Sequence, residues 1–271
     1  MKKILQYFIL TLVVASASLG FESHAQVATS VNPSGFGDRQ FDMDTIFSAR
    51  RIREDDKMYQ IAVWRRIDLR EKYNLSLYGS GDSKRNGIIN FIYKAVVDEN
   101  ALEVFGDDEF TTPLSIAEFQ ENFWLNAVGD SIFVKQLYYL DFREDFVFDK
   151  HHSDMVFDIK YIELVMPSAT NSNAGQKTIA YIRYKDFYNY FKDHPEARWI
   201  NFQNLSQSLT YDKAFDTRLF RSVVRRFTNP DEALVADMVD ADHPNPEVQA
   251  YMDALAFEYK LLEFENTLWE W

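Results

Sequence analysis

His151 and His152 stand side by side with Asp149 and Asp154 close on either flank, the densest grouping in the chain of side chains suited to a metal ion or a general base. A zinc site needs three or four such ligands converging on one point. Neighbouring residues on a strand or turn point apart, and the HExxH spacing that sets two imidazoles on one helix face is absent. The pair therefore reads as a polar turn between strands. Asp237, Asp240, Asp242 and His243 offer the oxygens calcium prefers, but the glycine and closing glutamate of an EF-hand loop are missing, and a solvated acidic segment is expected. Gly79-Ser80-Gly81-Asp82-Ser83-Lys84 meets neither phosphate-loop spacing, GxxxxGK(S/T) or GxGxxG, and reads as a turn before a helix. There is no GxSxG elbow and no Ser-x-x-Lys motif. No catalytic residue, metal ligand or cofactor is assigned.

Rings are abundant: 23 Phe, 15 Tyr and 5 Trp. The run Tyr184-Lys185-Asp186-Phe187-Tyr188-Asn189-Tyr190-Phe191 would make a carbohydrate platform if its rings were exposed, but rings at helical spacing usually turn inward, and core packing is expected.

The elements that would position these residues divide into helices around a central β-rich stretch. Glu54 to about Asn74 reads as a helix, with acids at its start, bases towards its end, and Tyr59, Val63, Trp64 and Ile67 on one arc. A second helix is expected over Arg85 to Val97, then a short strand from Ala101 to Phe105. Ser115 and Glu118 have the spacing of a capping box for a helix from Ile116 to about Leu125. Ile132 to Phe142, Met155 to Met166 and Thr178 to Tyr184 read as antiparallel strands, with Pro167 to Gln176 as a surface connection. Further helices are expected at Lys185 to Phe191 and Tyr211 to Arg226.

From Glu247 onwards two apolar seams follow alternating steps of four and three. Val248, Met252, Leu255, Tyr259, Leu262, Asn266 and Trp269 form one; Ala250, Ala254, Phe257, Leu261, Phe264 and Leu268 form the other, on nearly the opposite face. A helix apolar on two faces wants two partners, so Val248, Met252, Leu255, Phe257, Tyr259, Leu261, Leu262, Phe264 and Trp269 are the candidate partner-binding residues.

Lys2 and Lys3, an apolar run from Ile4 to about Leu19 and small residues before Gln26 have the layout of a signal peptide cleaved after Ala25. The expected organisation is a signal peptide (1–25), an extended arm (26–53), an α+β domain (54–230), an acidic linker (231–246) and a C-terminal helix (247–271). Without cysteine there is no disulfide, no thiolate site and no lipid attachment. The net charge of −13 disfavours nucleic acid and anionic headgroups at long range, and no segment after the signal is apolar enough for direct membrane insertion.

The passage Val63-Trp64-Arg65-Arg66-Ile67-Asp68-Leu69-Arg70-Glu71-Lys72-Tyr73-Asn74 resembles the opening signature of the gliding-motility GldN family, also called PorN, of the type IX secretion system. Asp107-Asp108-Glu109-Phe110-Thr111-Thr112-Pro113-Leu114, Phe146-Val147-Phe148-Asp149-Lys150, Leu209-Thr210-Tyr211-Asp212 and Arg218-Leu219-Phe220-Arg221-Ser222 resemble the same family, so the likeness spans about Trp64 to Pro230 and leaves the C-terminal helix outside it. Phe146 and Val147 depart from the family's tryptophan and second aromatic. Trp64, Arg65, Arg66, Asp68, Arg70, Glu71 and Asn74 are the signature residues.

The resemblance implies a non-enzymatic periplasmic subunit that forms a ring-like complex with an outer-membrane lipoprotein of the K (GldK/PorK) type and meets the periplasmic part of the inner-membrane M (GldM/PorM) subunit. The family has no catalytic residues to carry over. The fold expected is α+β, a central antiparallel sheet flanked by helices with a long C-terminal amphipathic helix. Two rival readings remain: a periplasmic hydrolase centred on His151 or His152, and a glycan-binding module built on the Tyr184 to Phe191 rings.

Overall fold

A computed structural model describes residues 54–78, 87–201, 204, 206, 208–240 and 243–268, all within one compact unit. The segments expected to be the signal peptide (1–25) and the arm (26–53), together with the stretch Gly79 to Lys84, Asp242 and Trp269, lie outside the described residues.

The fold is α+β. Its frame is an antiparallel sheet of five strands in the order β4-β3-β2-β1-β7, with β1 at Lys57–Asp68, β2 at Tyr139–Asp149, β3 at Asp154–Met166, β4 at Lys177–Arg183 and β7 at Val223–Phe227. A small ladder joins β5 (Arg198–Trp199) to β6 (Leu209–Thr210). Helices α1 (Leu75–Tyr78), α2 (Ile88–Val97) and α3 (Ile116–Trp124) fill the long connection from β1 to β2, while α4 (Tyr184–Asp193) and α5 (Tyr211–Asp216) follow β4, and α6 (Pro246–Leu268) ends the described chain.

Alternation along the strands decides which face the helices cover, because successive side chains on a strand point to opposite sides. Tyr59, Ile61, Val63, Arg65 and Ile67 of β1 share a face with Leu140, Phe142, Glu144, Phe146 and Phe148 of β2. One end of that face, with Ile67, Leu140 and Phe142, belongs to the main core together with Phe119, Phe123, Phe187, Phe191 and Phe215 from the helices. The other end, with Ile61, Val63, Phe146 and Phe148, is covered by Ala254, Phe257, Leu261 and Phe264 of α6. Phe227 and Phe257 stack at 4.2 Å between centroids, and Tyr59 meets Phe264 at 4.5 Å.

Several expected elements form: α2, α4, the three central strands, and α3 with its capping box, in which Ser115 Oγ accepts from the Glu118 N–H at 3.3 Å and Glu118 Oε2 accepts from the Ser115 N–H at 2.9 Å. Other expectations are corrected. Glu54 to Asn74 is not one long helix: a 3-10 turn at Glu54–Asp56 leads into β1, and only Leu75–Tyr78 is α-helical. Ala101 to Phe105 is reduced to bridges at Phe105 with Pro113 and Tyr181. The strand expected from Ile132 begins at Tyr139, after a 3-10 turn at Val134–Gln136. The helix expected over Tyr211 to Arg226 stops at Asp216. Arg218 takes a left-handed φ of 54°, which turns the chain out of the helix, and the remainder becomes β7.

Candidate interaction surface and the signature framework

The signature residues form a lattice of charge and hydrogen bonds that locks β1 to its neighbours. Arg65 lies on the covered face, where Nε donates to Glu144 Oε1 at 2.6 Å and Nη1 donates to Glu258 of α6. Arg218 grips the same Glu144 carboxylate with two bonds, at 2.6 and 3.1 Å. Two cations and two anions therefore close a neutral cluster between the main core and the part of the sheet under α6. A buried charge is tolerable on those terms, answered and hydrogen-bonded.

On the opposite face Arg66 makes a bidentate pair with Asp141 at 2.7 and 2.6 Å and reaches Gln176 at 2.9 Å. Trp64 Nε1 donates to the Tyr161 hydroxyl at 3.0 Å, with the Arg226 guanidinium 3.8 Å above its ring. Asp68 holds Arg70 through its side chain, and Arg70 in turn covers the Tyr138 ring at 3.5 Å. Asn74 is fully buried: Nδ2 donates to the carbonyls of Asp68 and Arg221 at 2.8 and 2.9 Å, and Oδ1 accepts from the Arg221 N–H at 2.8 Å. Glu71 stands 3.7 Å from Arg221. Sequence reasoning identified these residues as a signature but missed their counterparts. Glu144 carried the one available signal, an acid at an inward position of an otherwise apolar alternation.

The two seams of α6 part company. Ala254, Phe257, Leu261 and Phe264 pack on the sheet, whereas Val248, Met252, Tyr259 and Leu262 point outward with 62, 54, 69 and 53% exposure, and Leu255 is half-buried. Exposed apolar residues scattered singly mean little, but these follow one another along a single helix face.

His151 and His152 occupy the β2–β3 turn. Asp149 Oδ1 accepts from both backbone N–H groups at 2.9 and 3.3 Å, and Oδ2 meets His152 Nδ1 at 2.5 Å. Burial of Asp149 opposes its ionisation, but these bonds prevail and hold its carboxyl below the ordinary value. Among the described residues no group of three or more His, Asp or Glu is placed to hold a metal. The rings of Tyr184, Phe187, Tyr190 and Phe191 are buried in the core and offer no sugar platform. Among the described residues no helix is long and apolar enough to cross a membrane.

Against known families, residues 52–270 match the model of the gliding motility associated protein GldN. The chain belongs to the GldN family. The match extends past the Trp64 to Pro230 stretch in which the likeness was legible and takes in α6, so the helix beneath the exposed seam is part of the GldN module. Membership makes this chain a component of the gliding-motility and type IX secretion machinery, a multi-protein apparatus, and places it in a family not known for enzymes. Among curated proteins none matches the chain.

Proposed function

We propose that this GldN-family chain is a non-catalytic structural subunit that works in the periplasm, joined in a ring-like complex to an outer-membrane lipoprotein of the K type and approached by the periplasmic part of the M subunit. What carries the reading is the outward seam of α6. Burying such a strip is worth about 25 cal/mol per Å² of apolar surface removed from water. The seam lies on a helix anchored from behind by Phe257, Leu261 and the Arg65–Glu258 pair, so it is presented in a fixed orientation. Preorganised apolar strips of this kind suit stable assembly partners. Val248, Met252, Leu255, Tyr259 and Leu262 are the partner-facing residues of the proposal; Phe257, Leu261 and Phe264 serve the chain's own core.

The test is co-expression of the mature chain with its K-type lipoprotein, followed by size-exclusion chromatography with light scattering. Wild type should co-elute with the lipoprotein in a large complex, and Met252→Glu with Tyr259→Glu should abolish co-elution without moving the thermal midpoint. A wild-type monomer that ignores the lipoprotein would sink the proposal. Deleting Glu247 to Trp271 is a poor substitute, since it would also strip Ala254 and Leu261 from the core.

A further inference from the structure

A cavity of about 390 Å³ runs along the edge strand β7, between that strand, the segment Leu234 to Ala236 and the first turns of α6. The segment that closes it is firmly held. The Val235 N–H donates to the Arg225 carbonyl at 2.9 Å, and the Asn229 side chain clamps Ala233 with two bonds of 3.0 Å. The size falls within the range of small-ligand sites.

Two guanidinium groups line this cavity, and they differ. Arg66 is answered by Asp141 and Gln176, which fix its plane. The Arg225 guanidinium has no hydrogen bond or ion pair with a described residue, and Asp141 and Asp237 act on it as anions from a distance. Burial, and then the neighbouring Arg66 cation, push its guanidinium below the ordinary value, against the opposing pull of Asp141 and Asp237. Tyr251 also lines the cavity. Its hydroxyl oxygen accepts from Arg221 Nη2 at 2.5 Å, which leaves the hydroxyl proton free to donate. Leu234, Val235 and Ala250 give the remaining wall an apolar character.

We infer that this cavity binds a monocarboxylate bearing a short apolar body, with the Arg225 guanidinium gripping the carboxylate and the Leu234–Val235 wall taking the apolar part. A guanidinium fork matches the two oxygens of a carboxylate. Glu247 at the same cavity and the chain's net charge of −13 select against multiply charged anions such as phosphate. The inference is independent of the lipoprotein proposal, because the cavity opens at β7 rather than along the outward seam of α6.

Such a carboxylate has two sources, the C-terminus of a peptide or a free short-chain acid, and the test separates them. Calorimetric titrations of the full mature chain would use isovalerate, the peptide acetyl-Gly-Gly-Ala-Leu with a free terminus, the same peptide amidated, and inorganic phosphate. The expected result is saturable binding of the carboxylates, at least tenfold weaker binding of the amidated peptide and phosphate, and a loss of at least tenfold in Arg225→Gln. Because the Arg225 side chain has no hydrogen bond or ion pair with a described residue, the variant should keep the wild-type thermal midpoint. Glu247→Gln should tighten binding a few-fold by removing an opposing charge. Tighter binding of the free-terminus peptide than of isovalerate identifies a protein terminus as the ligand, and the reverse identifies a small acid. Failure of both carboxylates to saturate, equal binding of the amidated peptide, or undiminished binding in Arg225→Gln would each overturn the inference.

Discussion

Arg65 and Glu144 meet at 2.6 Å on the covered face of the sheet, and Glu144, 1% exposed, is held a second time by Arg218. The cluster ties β1 and the turn before β7 to one carboxylate on β2, and through Arg65 it reaches Glu258 of α6. Removing one partner of a buried pair typically costs about 3–5 kcal/mol because the other charge is stranded. Glu144→Gln should lie near the lower end, about 3 kcal/mol, since Arg65 keeps Glu258 and the Arg218 side chain is 29% exposed. Glu258→Gln, at a position one-third open to water, should cost about 1 kcal/mol or less. Urea denaturation of both variants checks the order, and equal losses would show that Glu144 is not the hub.

This cluster also explains where the sequence was legible and where it was not. The period-2 pattern Tyr59, Ile61, Val63, Ile67 is plain once β1 is seen, but Arg65 occupies the inward place between Val63 and Ile67 and breaks it. With the acids at Glu54 to Asp56 and bases towards the end, the segment then imitates a helix with a favourable dipole. The same happened at Tyr211 to Arg226, where Arg218 adopts a backbone conformation that non-glycine residues seldom take. Both of these misread segments carry an arginine whose partner, Glu144, is more than 70 residues away. Features governed by local rules fared better: the Ser115 capping box, the polar turn at His151 and His152, and the two seams of α6. Which seam would find its partner within the chain depended on the sheet, and no local pattern encodes that.

The opposed seams of α6 should respond in opposite ways to substitution. Leu261→Ala removes a buried side chain from the contact with Phe146 and Phe148 and should cost about 2–5 kcal/mol. Met252→Ala and Tyr259→Ala, on the outward face, should stay within about 0.5 kcal/mol in thermal or urea denaturation of the isolated chain. A large destabilisation from either outward substitution would mean that this face is already covered within the chain.

Glu163 sets a pH dependence. Burial pushes its carboxyl up to about 7, against the opposing hydrogen bond that Thr178 Oγ1 donates to Oε1 at 2.6 Å. An acid whose folded value exceeds its unfolded one binds more protons in the folded state. Stability therefore falls as pH rises between the ordinary carboxyl value of 4.5 and about 7. The slope from one such proton is at most about 1.4 kcal/mol per pH unit. Glu163→Gln should flatten unfolding free energy against pH across that window and exceed wild type at pH 8. An unchanged profile in the variant would assign the dependence to other groups.

Asn74 closes the signature and tests whether that signature is structural. Its amide satisfies two carbonyls and one N–H at once, joining the end of β1 to the turn at Arg221. Asn74→Ala removes the side-chain partner of the Arg221 N–H and carbonyl, while the Asp68 carbonyl keeps the Glu71 N–H at 3.2 Å; each buried polar group left unsatisfied costs about 1–3 kcal/mol. Asn74→Asp is the sharper probe. It keeps the acceptor for the Arg221 N–H but places a carboxylate oxygen against the carbonyls of Asp68 and Arg221, where a donor is required. The aspartate variant should therefore be less stable than the alanine variant above pH 6, and the gap should narrow at low pH as the carboxyl gains a proton it can donate. If Asn74→Asp proves the more stable of the two throughout, the carbonyl contacts do not hold the turn.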